Sequence, residues 1–195
     1  MPAHRDVTAS VLGARAAALR ILVTGGPGSG KTTLLRALAQ RGLCIVDDTA
    51  RGLIQERIRN GMSPRPSAEA FAAEILARDL RKYDATRDHR GVVLFDRGIP
   101  DALGMRDDLR ALTDAERHAH LAARPYHPWA FVLPPWEAIY ATDAERDQTF
   151  TESGAVHGRL LRWYRTCGFV LVEVPRASVA ARCDFVLRAI EYGVA

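Results

Sequence analysis

The chain has 195 residues, with 48% hydrophobic and 26% charged side chains, the make-up expected of one soluble domain long enough to bury a substantial core. A net charge of only +4 argues against a nucleic-acid surface, and no run of 18 consecutive apolar residues offers a membrane span. Cys44, Cys167 and Cys183 are odd in number and lack metal-site spacing, which fits reduced thiols in a cytoplasm.

Residues 1–19 carry Arg5, Asp6 and Arg15 and lack a signal-type apolar block. They are expected to form a partly flexible arm with a short Ala-rich helix, ahead of a folded domain spanning 20–195. Arg20–Thr24 reads as a buried strand. It runs into the loop Gly25-Gly26-Pro27-Gly28-Ser29-Gly30-Lys31-Thr32-Thr33, and LLRALAQRG then reads as a helix ending at Gly42. The spacing is G-x-x-x-x-G-K-T between a strand and a helix. Glycines let successive backbone N–H groups turn toward phosphate oxygens, and the helix adds its positive end. Lys31 is expected at the β- and γ-phosphates and the Thr32 hydroxyl on Mg2+. Of 27 basic residues only Lys31 and Lys82 are lysines, so a lysine at the motif position looks selected for its compact charge.

Leu43–Val46 reads as the second strand, followed by Asp47, Asp48, Thr49, Ala50 and Arg51. An acid and a base one turn apart at a strand end can take a proton from an acceptor hydroxyl (Asp48) and bind the acceptor or a phosphate (Arg51). Asp48 also suits an N-cap for a helix over 49–60, and the two roles are compatible. GMSPRPS is a loop on its Gly and Pro content. A long helix over 67–86 follows, with RDLRKYDATRDHR read as its exposed side. Val92–Phe95 is the third strand and ends in Asp96-Arg97-Gly98. Asp96 occupies the Walker-B position for Mg2+, and Arg97, in place of a water-polarising Glu, suits gripping a phosphate or transferred group. A helix over 113–123 leads to a fourth strand, Ala130–Leu133. The segment Pro134–Phe150 resembles a short flap over a triphosphate, with Arg146 the candidate for transition-state charge. A helix over 150–166, a strand Phe169–Val174 and a helix over 176–191 complete the chain. Trp129, Trp136 and Trp163 read as core, Arg159, Arg162 and Arg165 as a solvated face, and His127 and His157 show no zinc-site spacing. Alternating apolar runs and helical patterns imply an α/β domain with a mainly parallel sheet covered on both faces, and ligands beyond its strand ends.

GGPGSGKTT, the pattern D-x-A-R at Asp48, Ala50 and Arg51, and LFDRG, FVLPPW and ERDQTF together resemble the small P-loop domains of the NadR type, over roughly residues 20–191. In NadR proteins this domain is a nicotinamide riboside kinase, and relatives are often labelled AAA domain or ATPase. The resemblance implies a P-loop NTPase three-layer sandwich of the nucleoside and nucleotide kinase kind, with strand order 2-3-1-4-5. Asp48 stands where relatives more often show Glu, which draws the carboxylate back by one methylene and bears on the acceptor's identity. With 19 residues ahead of the domain, no adenylyltransferase domain is expected there.

Two functions stay open on the sequence. One is an ATP- and Mg2+-dependent kinase moving the γ-phosphate to a small hydroxyl-bearing acceptor. The other is an ATP- or GTP-binding NTPase switch with no acceptor, although the N-K-x-D signature of guanine specificity is absent: the only asparagine, Asn60, precedes Gly61. A nucleotide and a small acceptor are the expected partners, with no nucleic acid and no membrane. Oligomeric state, a homodimer included, is left open.

Overall fold

The apolar runs pair into one five-stranded sheet in the computed structural model, which describes residues 18–140 and 149–192. The strands are β1 (Leu19–Gly25), β2 (Cys44–Val46), β3 (Val92–Asp96), β4 (Trp129–Leu133) and β5 (Val170–Glu173). Every neighbouring pair is parallel, in the order β2-β3-β1-β4-β5, as expected. A parallel sheet is covered on both faces, so its inner strands read as unbroken apolar runs; all five residues of β3 are buried. The register pairs Val23 of β1 with Asp96 of β3 and with Phe131 of β4. The loops leaving β1 and β3 therefore emerge side by side.

The helices are α1 (Lys31–Gln40), α2 (Thr49–Arg59), α3 (Ala68–Ala85), α4 (Ile99–Asp108), α5 (Asp114–Ala123), α6 (Phe150–Thr166) and α7 (Val179–Tyr192). Leu34, Leu35 and Leu38 of α1 and Val186, Leu187 and Ile190 of α7 pack on one face of the sheet, against Ile21, Val23, Leu94 and Phe131. The other face, led by Leu22, Val93 and Phe95, is covered by Leu53, Ile75, Leu103 and Tyr164 from α2, α3, α4 and α6. Each such side chain contributes about 1.5–3 kcal/mol by leaving water. Among the described residues no helix is long and apolar enough to cross a membrane.

The structure differs from the sequence-based expectation in two places. Helix α4 was not predicted, because Ile99 through Leu103 are buried in succession and leave no 3.6-residue stripe. Pro100 and Gly104 also read as breakers. Yet Pro100 sits in the first turn, where a missing N–H costs nothing. Gly104 admits Trp163, whose indole donates to the Pro100 carbonyl at 2.7 Å. The second difference lies in α3, whose charged run is not wholly exposed. Tyr83 turns inward and donates to the Pro125 carbonyl at 2.6 Å. Asp79 is 7% exposed and accepts a hydrogen bond from the Thr49 hydroxyl, which ties α3 to the start of α2.

Burial pushes the Asp79 carboxyl up to about 7; Asp101 and Asp48 add to this, while Thr49 and Lys82 oppose it. A carboxyl raised in the folded state stabilises the fold fully below the ordinary carboxylate range, and that contribution is lost as pH rises through about 7. Asp79→Asn keeps an acceptor for Thr49 and never ionises. The variant should equal wild type or fall slightly below it near pH 4 and exceed it at pH 8, by on the order of 1–2 kcal/mol. Thermal melts across that range test this, and a Tm difference that does not change with pH refutes it.

Candidate functional site

The turn between β1 and α1 is shaped by two glycines with left-handed backbones. Gly28 has φ 71°, and a Cβ there would lie 2.4 Å from the Tyr140 ring. Gly30, at φ 78°, forms the N-cap of α1 without any capping side chain. The first N–H groups of the helix are therefore left to face the hollow of the loop, at the positive end of the helix dipole. The Ser29 hydroxyl in the same loop is buried and has no hydrogen-bond partner. Two later helices brace the loop. Ser153 of α6 donates to the Pro27 carbonyl at 2.9 Å, and Arg182 of α7 donates to the Gly30 carbonyl at 3.0 Å. Arg182 is 3% exposed, its guanidinium lies 5.8 Å from the Trp136 ring, and burial lowers its pKa from the ordinary value.

Lys31, the first residue of α1, donates through Nζ to Asp96 Oδ1 at 2.6 Å, with side-chain exposures of 10% and 9%. Burial pushes the Asp96 carboxyl up, and Lys31 pulls it back toward the charged form. Thr32 and Asp96 line one cleft of about 390 Å³, together with Asp48 and Arg51. Four of the sequence-predicted residues thus share one space.

Asp48 is the N-cap of α2: Oδ1 accepts from the N–H of Ala50 at 2.9 Å and of Arg51 at 3.3 Å. Its other oxygen, Oδ2, lies 3.6 Å from Arg97 Nε. Arg97 has a left-handed backbone, φ 64°, and its N–H bonds the Val23 carbonyl at 3.0 Å. Its guanidinium donates to the Gly25 carbonyl at 3.0 Å and to Asp101 Oδ1 at 3.1 Å. Asp101 in turn accepts from the Tyr164 hydroxyl at 2.6 Å and the Gly98 N–H at 3.1 Å. Arg97 thus joins the turn after β1, the end of β2 and helix α4. Arg146, expected over the transferred group, lies outside the described residues.

Sequence reasoning missed Asp101, Tyr164, Ser153 and Arg182, and it read Trp136 as core. None carries a local signal. Arg182 and Ser153 reach partners 152 and 126 positions away, and each looks like an ordinary helix residue in its own neighbourhood.

Comparison with known proteins bears on the fold and the family. Over 76 residues the chain is 38% identical to dephospho-CoA kinase of Corynebacterium glutamicum, a stretch covering 38% of this chain and about a third (34%) of that enzyme's length. Its fold is similar to deoxyadenosine kinase from M. mycoides with bound dATP, at a TM-score of 0.60 and 10% identity over 88% of this chain and 98% of that one. It is also similar to thymidylate kinase from Ehrlichia chaffeensis, at a TM-score of 0.56 and 13% identity, covering 89% and 98%. Shikimate kinase from Acinetobacter baumannii matches at a TM-score of 0.52 and 16% identity, over 94% and 96%. At such identities these likenesses are of fold, and the fold is that of P-loop nucleoside and nucleotide kinases. A family profile described as AAA domain matches residues 20–182, a span that contains the loop, Asp48 and Asp96, and the protein belongs to that family.

Proposed function

We propose that the protein is an ATP- and Mg2+-dependent phosphotransferase of the NadR type, which moves the γ-phosphate to a small hydroxyl-bearing acceptor. The observation that carries this reading is the placement of Asp48. It lines the same cleft as Thr32 and Asp96, and its Oδ2 takes no part in capping α2. Besides its cap and its pairing with Arg97, this carboxylate stands where phosphoryl transfer to a hydroxyl needs a base.

The turn suits a polyphosphate: the helix start has no capping side chain to occupy its N–H groups, and the Lys31 ammonium stands at the first residue of that helix. A bound polyphosphate offers Lys31 an alternative to Asp96 and releases that carboxylate. The Thr32 hydroxyl and the Asp96 carboxylate are oxygen donors suited to a hard cation, so these two would hold Mg2+. The ion would neutralise charge on the phosphates. Asp48 orients the acceptor hydroxyl and takes its proton as the oxygen–phosphorus bond forms and the bridging bond to ADP breaks. Arg97 holds Asp48 in place and Arg51 faces the acceptor. Arg146 is assigned to the transferring charge by sequence alone. The kinase names of the related proteins support the reaction class, and their acceptors differ from one another.

Lys31→Ala should weaken binding of a non-hydrolysable ATP analogue by at least about 30-fold, because removing one member of a buried charge pair costs about 2–5 kcal/mol. Calorimetric titration of the variant decides the matter, and wild-type affinity removes the loop from the nucleotide site.

Asp48→Asn separates the cap from the base, since Asn caps about as well as Asp. The variant should keep its Tm and ATP affinity, yet lose at least about tenfold in acceptor-dependent rate, as a general base contributes about 10²–10⁴-fold. The measurement is ADP release with a panel of nucleosides, sugars, aminoglycosides and dephospho-CoA. ATP turnover that no acceptor accelerates, in wild type and variant alike, would favour the switch.

A further inference from the structure

The cleft is segregated by charge along its length. Its three carboxylates, Asp47, Asp48 and Asp96, all lie at strand ends. Further in, α1 and α2 present no acid to it. One turn along the two helices stand Arg36 and Arg51, and one turn beyond Arg51 stands Gln55. At a rise of about 1.5 Å per residue, the passage from Asp48 to Gln55 is roughly 10 Å long.

Midway along it is Gly52. Glycine inside a helix is destabilising relative to alanine, so the position asks for a reason. Backbone conformation supplies none, because Gly52 is not left-handed and its N–H keeps the bond to the Asp48 carbonyl at 3.3 Å. Packing supplies none either, because a Cβ there would meet nothing within 4 Å. Gly52 does line the cleft, and Leu35 and Ile45 give the cleft an apolar wall. The absent side chain widens the passage between Arg51 and Gln55.

Building on the phosphotransferase reading, we infer that this cleft admits an elongate acceptor. The reacting hydroxyl sits at the carboxylate end, an anionic group, phosphate or carboxylate, reaches Arg36 and Arg51 one turn further in, and the rest of the molecule passes Gly52 toward Gln55. Gly52 is then a specificity-determining residue, and Arg36 an anchor for the anionic group.

The test is isothermal titration of the whole chain saturated with Mg2+ and a non-hydrolysable ATP analogue, so that the phosphate loop is filled. Two matched pairs of probes are used: pantothenate against panthenol, which differ in the terminal carboxylate, and dephospho-CoA against adenosine, which lacks the anionic arm. In at least one pair the anionic member should bind at least about tenfold more tightly, the scale of charge-assisted hydrogen bonds. Arg36→Ala should cut that preference to less than about threefold. Gly52→Leu should weaken the preferred probe at least about tenfold without changing affinity for the ATP analogue, while Gly52→Ala raises Tm through helix propensity. Equal binding of charged and neutral members in both pairs overturns the inference, as does a preference that Arg36→Ala leaves intact or wild-type probe binding by Gly52→Leu. The phosphotransferase reading fails separately. Anion-selective binding without ADP release from ATP sinks that reading and leaves the cleft assignment standing, whereas ADP release driven only by neutral acceptors does the reverse.

Discussion

The pair Lys31–Asp96 is the contact on which the site turns. Removing two opposite charges from water costs several kcal/mol for each, and their attraction roughly offsets that cost. A buried pair of this kind is therefore weak ground for stability, and apolar residues would serve the core as well. Its value lies in exchange. Parallel register sets Asp96 against Val23, two residues before the turn, and the turn returns Lys31 to the same height. Each charge is held desolvated with a partner that, on the proposed reading, it would trade for a phosphate or a cation.

Arg97 explains how the surrounding pieces keep their places. A left-handed backbone at a residue other than glycine costs about 1–3 kcal/mol, and it persists where the surroundings over-determine it. Here the backbone N–H is fixed by Val23 and the side chain by Gly25, Asp101 and Asp48. The strain aims one guanidinium at three elements. A lysine could not bridge them, because a point charge lacks the planar fork.

What was legible in the sequence follows from how local each signal is. Strands buried on both faces announce themselves as apolar runs, and the phosphate turn has a fixed spacing that needs no tertiary information. The two acids ending β2 and β3 could be found by walking to the end of each run. Helix α4 was hidden because its buried residues are consecutive and its Pro and Gly imitate a loop. Asp79 was hidden inside a charged run, and only the packing of α3 on α2 shows that it points inward. Arg182 and Ser153 were illegible for a stronger reason: their meaning lies in contacts with a turn more than a hundred residues earlier in the chain, and nothing within ten residues of either distinguishes it.

The site divides into two halves with different legibility. On the β4–β5 side, α6 and α7 brace the turn through backbone carbonyls of Pro27 and Gly30, so they fix the shape of a cradle whose occupant, on the proposed reading, would be chemically constant. Every nucleoside triphosphate presents the same phosphates, and one spacing of glycines and one lysine meets them all. On the β2 side, the cleft is lined by side chains of α1 and α2, where each acceptor requires its own shape and charge. Kinases of deoxyadenosine, thymidylate and shikimate share this fold at 10–16% identity, so the fold does not encode the acceptor. On the proposed reading, selectivity would rest instead on a few cleft positions such as Arg36, Arg51, Gly52 and Gln55. Of these, Gly52 is the most telling, because it gives up helix stability and gains no contact in return, and a position that loses energy without a structural gain marks room reserved for something else.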